Sequence, residues 1–252
     1  MPNKYTYPNS EVLRNKFGLT DSVAAHTMET RLTYIRAAEL LRSPVAGKFD
    51  ERHLLEIHRR LFQDMYEWAG RPRDVPTYTT NTQLVHCLPE FLKDESDRVF
   101  RDLQRDNVLQ GMNDNDFNDR LAYHWGELTA LHVSLNGNTR SQRVFVDQLT
   151  RESGRSIDWA AVNRNIEPFK VARLYAHAGN HVPLREQLNQ VVRPTAGTTT
   201  GPELAGPAVD PKVTKAALSG LALPGTSSGS ASGLGTKDTK WKARGRDGQD
   251  LG

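Results

Sequence analysis

The sequence predicts an all-α domain with one short β-hairpin, followed by a disordered tail. Apolar residues recur at helical spacing through residues 21–191, and Asp or Asn residues able to cap a helix precede most of these runs. From Arg193 onward the composition changes to Gly, Ser, Thr and Pro, with Trp241 as the only aromatic residue. Such a segment buries too little apolar surface to offset the entropy lost on ordering.

These features define two regions. We assign residues 1–191 to the folded domain, with a core over about 50–191 and N-terminal helices over 10–43, and residues 192–252 to the disordered tail. The end of the tail is locally basic. It is interpreted either as a solvated linker or as a segment recognised by a secretion machine or another partner.

Capping residues and prolines place the helices in order. Asp21 can cap a first helix that ends before Pro44, and Asp50 can cap a second that ends before Gly70. The remaining predicted helices begin at Pro89, after the turn 113–116, after the loop that follows Leu131, after Asp158 and at Pro183.

Residues 76–85 do not fit a helix. The segment is rich in threonine, and Asn81 is a candidate for its turn, which favours a β-hairpin. A lone hairpin is marginally stable in water, so this one is expected to pack against the helices.

Composition and charge exclude several classes of protein. The net charge of +3 is small and both signs are mixed along the chain, which disfavours a nucleic-acid partner. No apolar run approaches the roughly 20 residues that a membrane-spanning helix needs. Cys87 is the single cysteine and cannot form an internal disulfide. The N-terminus lacks the apolar core of a signal peptide. We expect a cytoplasmic protein, or one secreted into a target cell without such a signal.

His132 is the first candidate for catalysis. It follows a strongly apolar helix and opens a loop, where an imidazole with a pKa near neutrality can take a proton from a hydroxyl group. The alternative is a histidine that only caps the helix C-terminus, where a positive charge is favourable.

The residues after His132 predict an anion site. Gly137 allows close backbone approach and Asn138 enters the next helix, whose first N–H groups attract negative charge. Arg140 and Arg143 project to neighbouring positions three residues apart. Arginine is unfavourable at a helix N-terminus, so two of them indicate a bound anion. The alternative is a helix cap with solvated arginines.

This stretch resembles the signature of the Fic family, H-x-F-x-[DE]-G-N-[GK]-R-x-x-R, in order and at full length. His132, Gly137, Asn138, Arg140 and Arg143 match it. The resemblance extends to a helix ending in Trp68-Ala69-Gly70, to residues 76–86 as the family's flap, and to the segment 153–159, so it covers most of residues 10–191. It implies the Fic-fold helical bundle.

The function that this resemblance implies is protein adenylylation, the transfer of AMP from ATP to a Tyr, Thr or Ser hydroxyl of a target protein. His132 would deprotonate that hydroxyl, and Gly137, Asn138 and Thr139 would form the nucleotide-binding turn. Arg140 and Arg143 would hold the β- and γ-phosphates. Mg²⁺ or Mn²⁺ would be the metal, and Asn136 stands at the position of its ligand. The chemistry is mainly positioning and charge stabilisation.

Three residues depart from the family pattern. Ser134 stands where a core phenylalanine is usual, and Thr139 replaces a small glycine. Asn136 replaces the Asp or Glu that would bind the metal, and an amide oxygen lacks the charge of a carboxylate. The alternative function is therefore a catalytically weak or inactive nucleotide- or protein-binding module. Glu127 or Asp147 are the carboxylates considered as compensation.

Partners follow from the same resemblance. The flap would dock the target's modified segment as an added strand, through the residues Thr79, Thr80, Asn81, Thr82, Gln83 and Leu84. The inhibitory motif [ST]-x-x-x-E-[GN], whose glutamate pairs with the second signature arginine, is not found in the N-terminal helices or in residues 155–191. A separate small antitoxin would then restrain an active enzyme, as in toxin–antitoxin modules.

Other histidines, the cysteine and two loop arginines give weaker candidates. His177 and His181 have the spacing of metal ligands on a helix, but Gly179-Asn180 interrupts that helix and no third ligand is evident. His58 is expected to be structural. Cys87 has no evident activating partner. Arg71 and Arg73 could line the cleft, but the default interpretation is that they are solvated loop residues.

Overall fold

A computed structural model of the protein describes residues 4–79, 82 and 84–195. Its eight described helices are α1 Ser22–Arg42, α2 Glu51–Phe62, α3 Leu92–Arg105, α4 Asp114–Leu131, α5 Asn138–Glu152, α6 Trp159–Arg164, α7 Ile166–His177 and α8 Val182–Val191. Two short strands, β1 Arg155–Ile157 and β2 Val192–Pro194, form an antiparallel pair. The predicted all-α class is confirmed.

The helix starts follow the caps expected from the sequence. The side chains of Asp21, Asp50, Asn113 and Asp158 each accept a hydrogen bond from a backbone N–H in the first turn of the helix that follows. Such a cap stabilises a helix by about 1 kcal/mol. Pro89 opens a 3₁₀ turn, Pro89–Phe91, which continues into α3.

Helix α4 lies at the centre of the fold and packs against α3, α5, α7 and α8. Its residues Phe117, Leu121 and Trp125 are fully buried, and burying each such side chain contributes about 1.5–3 kcal/mol. The backbones of α4 and α7 are in close contact, since a Cβ added at Gly126 would lie 2.9 Å from the carbonyl oxygen of Ala176. Helix α2 packs against α1 and α5. The loop between α4 and α5 is thus held between packed helices.

The predicted hairpin is present as antiparallel pairing between two extended segments. Tyr78 and Val85 form an isolated bridge. The Thr79 N–H donates to the carbonyl of Leu84 at 3.0 Å, and the His86 N–H donates to that of Thr77 at 3.1 Å. Asn81, the candidate for the turn, lies outside the described residues, as do the predicted docking residues Thr80 and Gln83.

The boundary predicted near residue 192 is a few residues early. Val192 pairs with Ile157, and both side chains are buried, so the first residues assigned to the tail belong to the folded domain. Strands of three residues are too short to show a period-2 pattern in the sequence. The region after Asp158 also differs from the single predicted helix, because α6 and α7 are separated at Asn165. Residues 196–252 lie outside the described part of the chain.

In the described part of the chain, the helices are too short or too polar to cross a bilayer.

Candidate active site

Arg73 fixes the end of α4, where the site begins. His132 caps this helix in the left-handed conformation, with φ of 47°, which costs a non-glycine residue roughly 1–2 kcal/mol. Arg73 donates hydrogen bonds to the carbonyls of His132 at 2.7 Å, Leu131 at 3.2 Å and Val75 at 3.0 Å, and also to that of Cys87. Its positive charge is favourable at a helix C-terminus. The default interpretation of Arg73 as a solvated residue is wrong, since it is 3% exposed.

The imidazole of His132 lies in a stack of three histidine rings. The His86 ring is parallel to it, with centroids 3.7 Å apart and 11° between the planes. The His177 ring also stacks on that of His86, with centroids 5.1 Å apart. The Thr79 hydroxyl lies 3.3 Å from Nε2 of His86 and 3.2 Å from Nδ1 of His177, so a predicted target-docking residue contacts the stack.

His132 is neutral and its ring nitrogens are available. Burial lowers its pKa well below the usual value, and the nearby groups His86, Arg73 and Arg173 lower it further. Among the described residues, neither ring nitrogen of His132 has a hydrogen-bond partner in the protein. A neutral imidazole with an unpartnered nitrogen can accept a proton.

The loop from Ser134 to Asn138 is closed by a pair of hydrogen bonds. The Ser134 N–H donates to Oδ1 of Asn138 at 3.0 Å, and Nδ2 of Asn138 donates to the Ser134 carbonyl at 2.6 Å. The Asn138 side chain therefore shapes the loop from inside and is 2% exposed. The N–H groups of Asn138 and Thr139, in the first turn of α5, have no intrahelical acceptor and are free to bind an anion.

Helix α2 supports this loop from below. Gly137 has φ of 79°, and a Cβ there would lie 2.2 Å from Cζ of Phe62, so only glycine fits. Nδ1 of His58 accepts the Gly70 N–H at 2.9 Å, which leaves Nε2 to donate to the Asn136 carbonyl at 2.9 Å. Burial lowers the pKa of His58 to about 4, in keeping with the expected structural role.

Ser134 is fully buried, and its hydroxyl has no hydrogen-bond partner among the described residues. An orphaned buried hydroxyl is unfavourable by about 1–3 kcal/mol. The Phe62 ring, in contact with Gly137, supplies aromatic packing beneath the loop.

Glu29 of α1 is a site residue that sequence reasoning missed. Its carboxylate forms an ion pair with Arg140 and accepts a hydrogen bond from the Tyr66 hydroxyl. Nδ2 of Asn136 also donates to it at 3.3 Å. The available signal was its place on the buried face of α1 with Ala25, since its spacing matches that face. Glu29 is the carboxylate that lies beside Asn136.

The two carboxylates considered from the sequence have other partners. Glu127 forms an ion pair with Arg98. Asp147 accepts hydrogen bonds from Arg151 at 2.8 Å and from Nε1 of Trp159 at 2.8 Å.

Arg140 and Arg143 extend to different partners. Arg140 lies over the Phe62 ring at 4.6 Å and is paired with Glu29. Arg143 is 2% exposed, lies over the Trp159 ring at 4.3 Å and donates to Oδ1 of Asn163 at 3.3 Å. Burial and the charge of Arg173 lower the pKa of Arg143 to about 9, so it stays protonated at neutral pH.

Other candidates have partners of their own. His181 lies 3.4 Å from Asp119, whereas His177 belongs to the histidine stack. In the described part of the chain, no group of three or more His, Cys, Asp or Glu side chains is arranged to hold a metal ion. Cys87 is buried, which raises the pKa of its thiol to about 11 and makes it unreactive at neutral pH.

The chain is similar in sequence and fold to known proteins. The model of the Fic/DOC family matches residues 48–150. The protein adenylyltransferase VbhT of Bartonella schoenbuchensis is 39% identical over 176 residues, which are 70% of this chain and 36% of VbhT. The chain thus spans about a third of that relative's length. A Salmonella typhimurium protein named "Probable protein adenylyltransferase Fic" is 30% identical over 72% of this chain and 88% of its own length.

A solved structure supports the same assignment. The N-terminal Fic domain of a VirB-translocated Bep effector protein from Bartonella quintana, with bound ADP, superimposes with a TM-score of 0.71 at 25% identity. The alignment covers 76% of this chain and 95% of that domain. The helical fold, the loop after α4 and these relatives together show that the chain belongs to the Fic/DOC family.

Proposed function

We propose that this chain is a protein adenylyltransferase that moves AMP from ATP to a Tyr, Thr or Ser hydroxyl of another protein. The observation that carries the proposal is the neutral His132 imidazole, whose nitrogens have no partner in the described protein, held just before the N-terminus of α5. The adenylyltransferase names of its relatives support the same reaction.

In the proposed reaction, His132 takes the proton of the target hydroxyl. The hydroxyl oxygen forms a bond to the α-phosphorus of ATP, and the bond from that phosphorus to the oxygen bridging to the β-phosphate breaks. Pyrophosphate leaves with that electron pair. The N–H groups of Asn138 and Thr139 bind the phosphates, and Arg140 and Arg143 offset the charge of the leaving group.

Asn136 would hold the metal through its carboxamide oxygen, a ligand type that Mg²⁺ takes. Nδ2 of the same carboxamide donates to the Glu29 carboxylate at 3.3 Å, and the charge of that carboxylate is already offset by Arg140. A bound Mg²⁺ would neutralise charge on the phosphates.

The flap would align the target segment. Residues 77–79 and 84–86 pair with each other through backbone hydrogen bonds, and a target strand would add beside them across Thr79, Thr82 and Leu84. Backbone pairing aligns a hydroxyl without reading much side-chain sequence.

The direct test is incubation of the purified protein with labelled ATP, Mg²⁺ or Mn²⁺, and a cell lysate. Labelled protein bands that are absent with His132→Ala support the proposal. If the wild type labels nothing, or if His132→Ala labels the same bands, the proposal fails.

A second candidate function is a nucleotide- or protein-binding module with little or no catalysis. The ion pair between Arg140 and Glu29 favours it, because this pairing occupies a predicted phosphate ligand. Nucleotide binding without labelling, with labelling restored by Asn136→Asp, would identify this alternative.

We also propose a biological role as a toxin or effector, with a separate antitoxin as its restraint, acting in the cytoplasm of its own or a target cell. Growth arrest on expression, relieved by His132→Ala, supports that role. Unchanged growth of cells that contain labelled target contradicts it.

A further inference from the structure

Arg173 is a buried cation near the site that the family signature does not include. It lies on α7 and donates to Oε1 of Gln142 at 2.8 Å and to the Thr129 hydroxyl at 3.0 Å. Its guanidinium lies over the Trp125 ring, 5.3 Å from the centroid. Its Nε is buried and has no partner among the described residues. All of its hydrogen-bond partners found in the described chain are neutral.

Arg143 is in a similar environment, over the other ring of one aromatic pair. Its guanidinium lies over Trp159, whose ring meets that of Trp125 edge-on at 6.1 Å. Its Nε is also buried without a partner in the described chain, and the residue is only 2% exposed to solvent. The nearest acidic influence is Asp147, whose oxygens accept from Arg151 and Trp159. No ion pair joins Arg143 to it among the described residues.

Other arginines of the fold form ion pairs with carboxylates, unlike Arg143 and Arg173. Arg140 is paired with Glu29, Arg98 with Glu127, and Arg155 with Asp114. A charge removed from water without an opposite charge is strongly unfavourable. The charge of Arg173 lowers the pKa of Arg143, and an anion bound to both side chains would relieve this repulsion.

We propose that Arg173 joins Arg143 in binding the terminal phosphates of a nucleoside triphosphate, as a substrate-binding residue contributed by α7. The proposal rests on the function proposed above. The unpartnered Nε groups supply donors for phosphate oxygens, and arginine binds such oxygens in paired geometry. Gln142, next to Arg143 in α5, fixes the position of Arg173 through its side-chain oxygen.

The test uses the purified protein with inorganic tripolyphosphate, which has the charged part of ATP but cannot transfer AMP. Arg173→Gln should weaken tripolyphosphate and ATP binding at least tenfold in calorimetry. Arg173→Lys keeps the charge but lacks the planar guanidinium. Its affinity for both ligands should lie between that of the wild type and that of Arg173→Gln. The matched control is Arg155→Gln, since Arg155 also lies over an aromatic ring, Phe117 at 4.4 Å, but is paired with a carboxylate. It should bind both ligands as the wild type does.

Stability gives a second readout. Because Arg173→Gln removes an uncompensated charge, the ligand-free variant should melt no lower than the wild type, whereas Arg155→Gln should melt lower. Tripolyphosphate binding unchanged by Arg173→Gln overturns the proposal. So does a melting temperature that falls as far as that of the control. If tripolyphosphate binding depends on Arg173 but no protein is labelled from ATP, the anion site stands and the adenylylation proposal fails.

Discussion

His86 stacks on His132 with ring centroids 3.7 Å apart and planes 11° from parallel. The pairing joins the last residue of the flap to the predicted catalytic loop, and it fixes the orientation of a ring that has no hydrogen-bond partner within the described chain. Nδ1 of His86 lies 3.0 Å from the Thr77 hydroxyl and Nε2 lies 3.3 Å from that of Thr79. Contact with the flap can thus reach the base through His86.

Replacing His86 tests whether the stack positions the base. His86→Ala removes the ring against which His132 lies, so we expect kcat for adenylylation to fall about tenfold while KM for ATP changes little. His86→Phe keeps an aromatic face and should retain most of the activity. Steady-state rates with labelled ATP measure both. An equal fall in kcat in the two variants, or a change in KM with no change in kcat, would show that stacking does not orient His132.

Anion binding should raise the pKa of His132. Burial is the main cause of its lowered pKa, and the charges of Arg73 and Arg173 contribute. A bound triphosphate brings negative charge close to these cations, which favours the protonated imidazole. NMR titration of the His132 ring with and without tripolyphosphate measures the shift. A pKa that is unchanged or lowered at saturating ligand would contradict the placement of phosphate beside this histidine.

Contacts made within a few residues of the chain could be predicted from the sequence, whereas contacts between distant residues could not. The caps at Asp21, Asp50, Asn113 and Asp158 could be predicted because each bond is made within a few residues. The signature loop could be located for the same reason. Its charge environment could not, since Arg140 is paired with a glutamate 111 positions away. Such pairings depend on how helices pack, and periodicity shows only that a side chain faces inward.

The partners of two buried arginines could not be identified from the sequence. Arg173 follows no motif and stands in α7, where an arginine is ordinarily solvated, yet it reaches Gln142 at 2.8 Å. Arg73 was assigned to solvent because it lies in a loop, but helix α4 ends beside it with carbonyls that need donors. In both cases the partner becomes apparent only once the chain has folded.

Glu29 should be important for stability mainly when nucleotide is absent. Glu29→Gln keeps the size of the side chain but leaves Arg140 as a buried, uncompensated charge, so the free energy of unfolding should fall by roughly 3 kcal/mol. Phosphates bound to Arg140 replace the lost charge, and the deficit should shrink in saturating ATP. Urea unfolding with and without ATP measures this difference.

Thr33→Val is the matched control for Glu29→Gln. It removes a neutral partner of Arg140, the hydroxyl at 3.3 Å, and should cost about 1 kcal/mol with or without ATP. A deficit in Glu29→Gln that is the same in both conditions would show that ATP does not engage Arg140.

Acid should destabilise the fold through buried neutral histidines, of which His58 is the clearest. Its pKa of about 4 lies below the usual 6.5. As the pH falls through 6.5, the unfolded chain takes up a proton that the folded chain does not, so stability decreases from there down to about pH 4. His58 alone accounts for a loss of about 3 kcal/mol across this window.

His58→Gln should be less stable at pH 7 but lose less stability between pH 6.5 and pH 4. Urea unfolding over this range measures the slopes, with the exposed His26→Gln as the control. If the free energy of unfolding of His58→Gln depends on pH as steeply as that of the wild type, His58 is not the group whose protonation lowers stability. Protonation of Nδ1 would break the hydrogen bond that it accepts from the Gly70 N–H, whereas Nε2 would still donate to the Asn136 carbonyl.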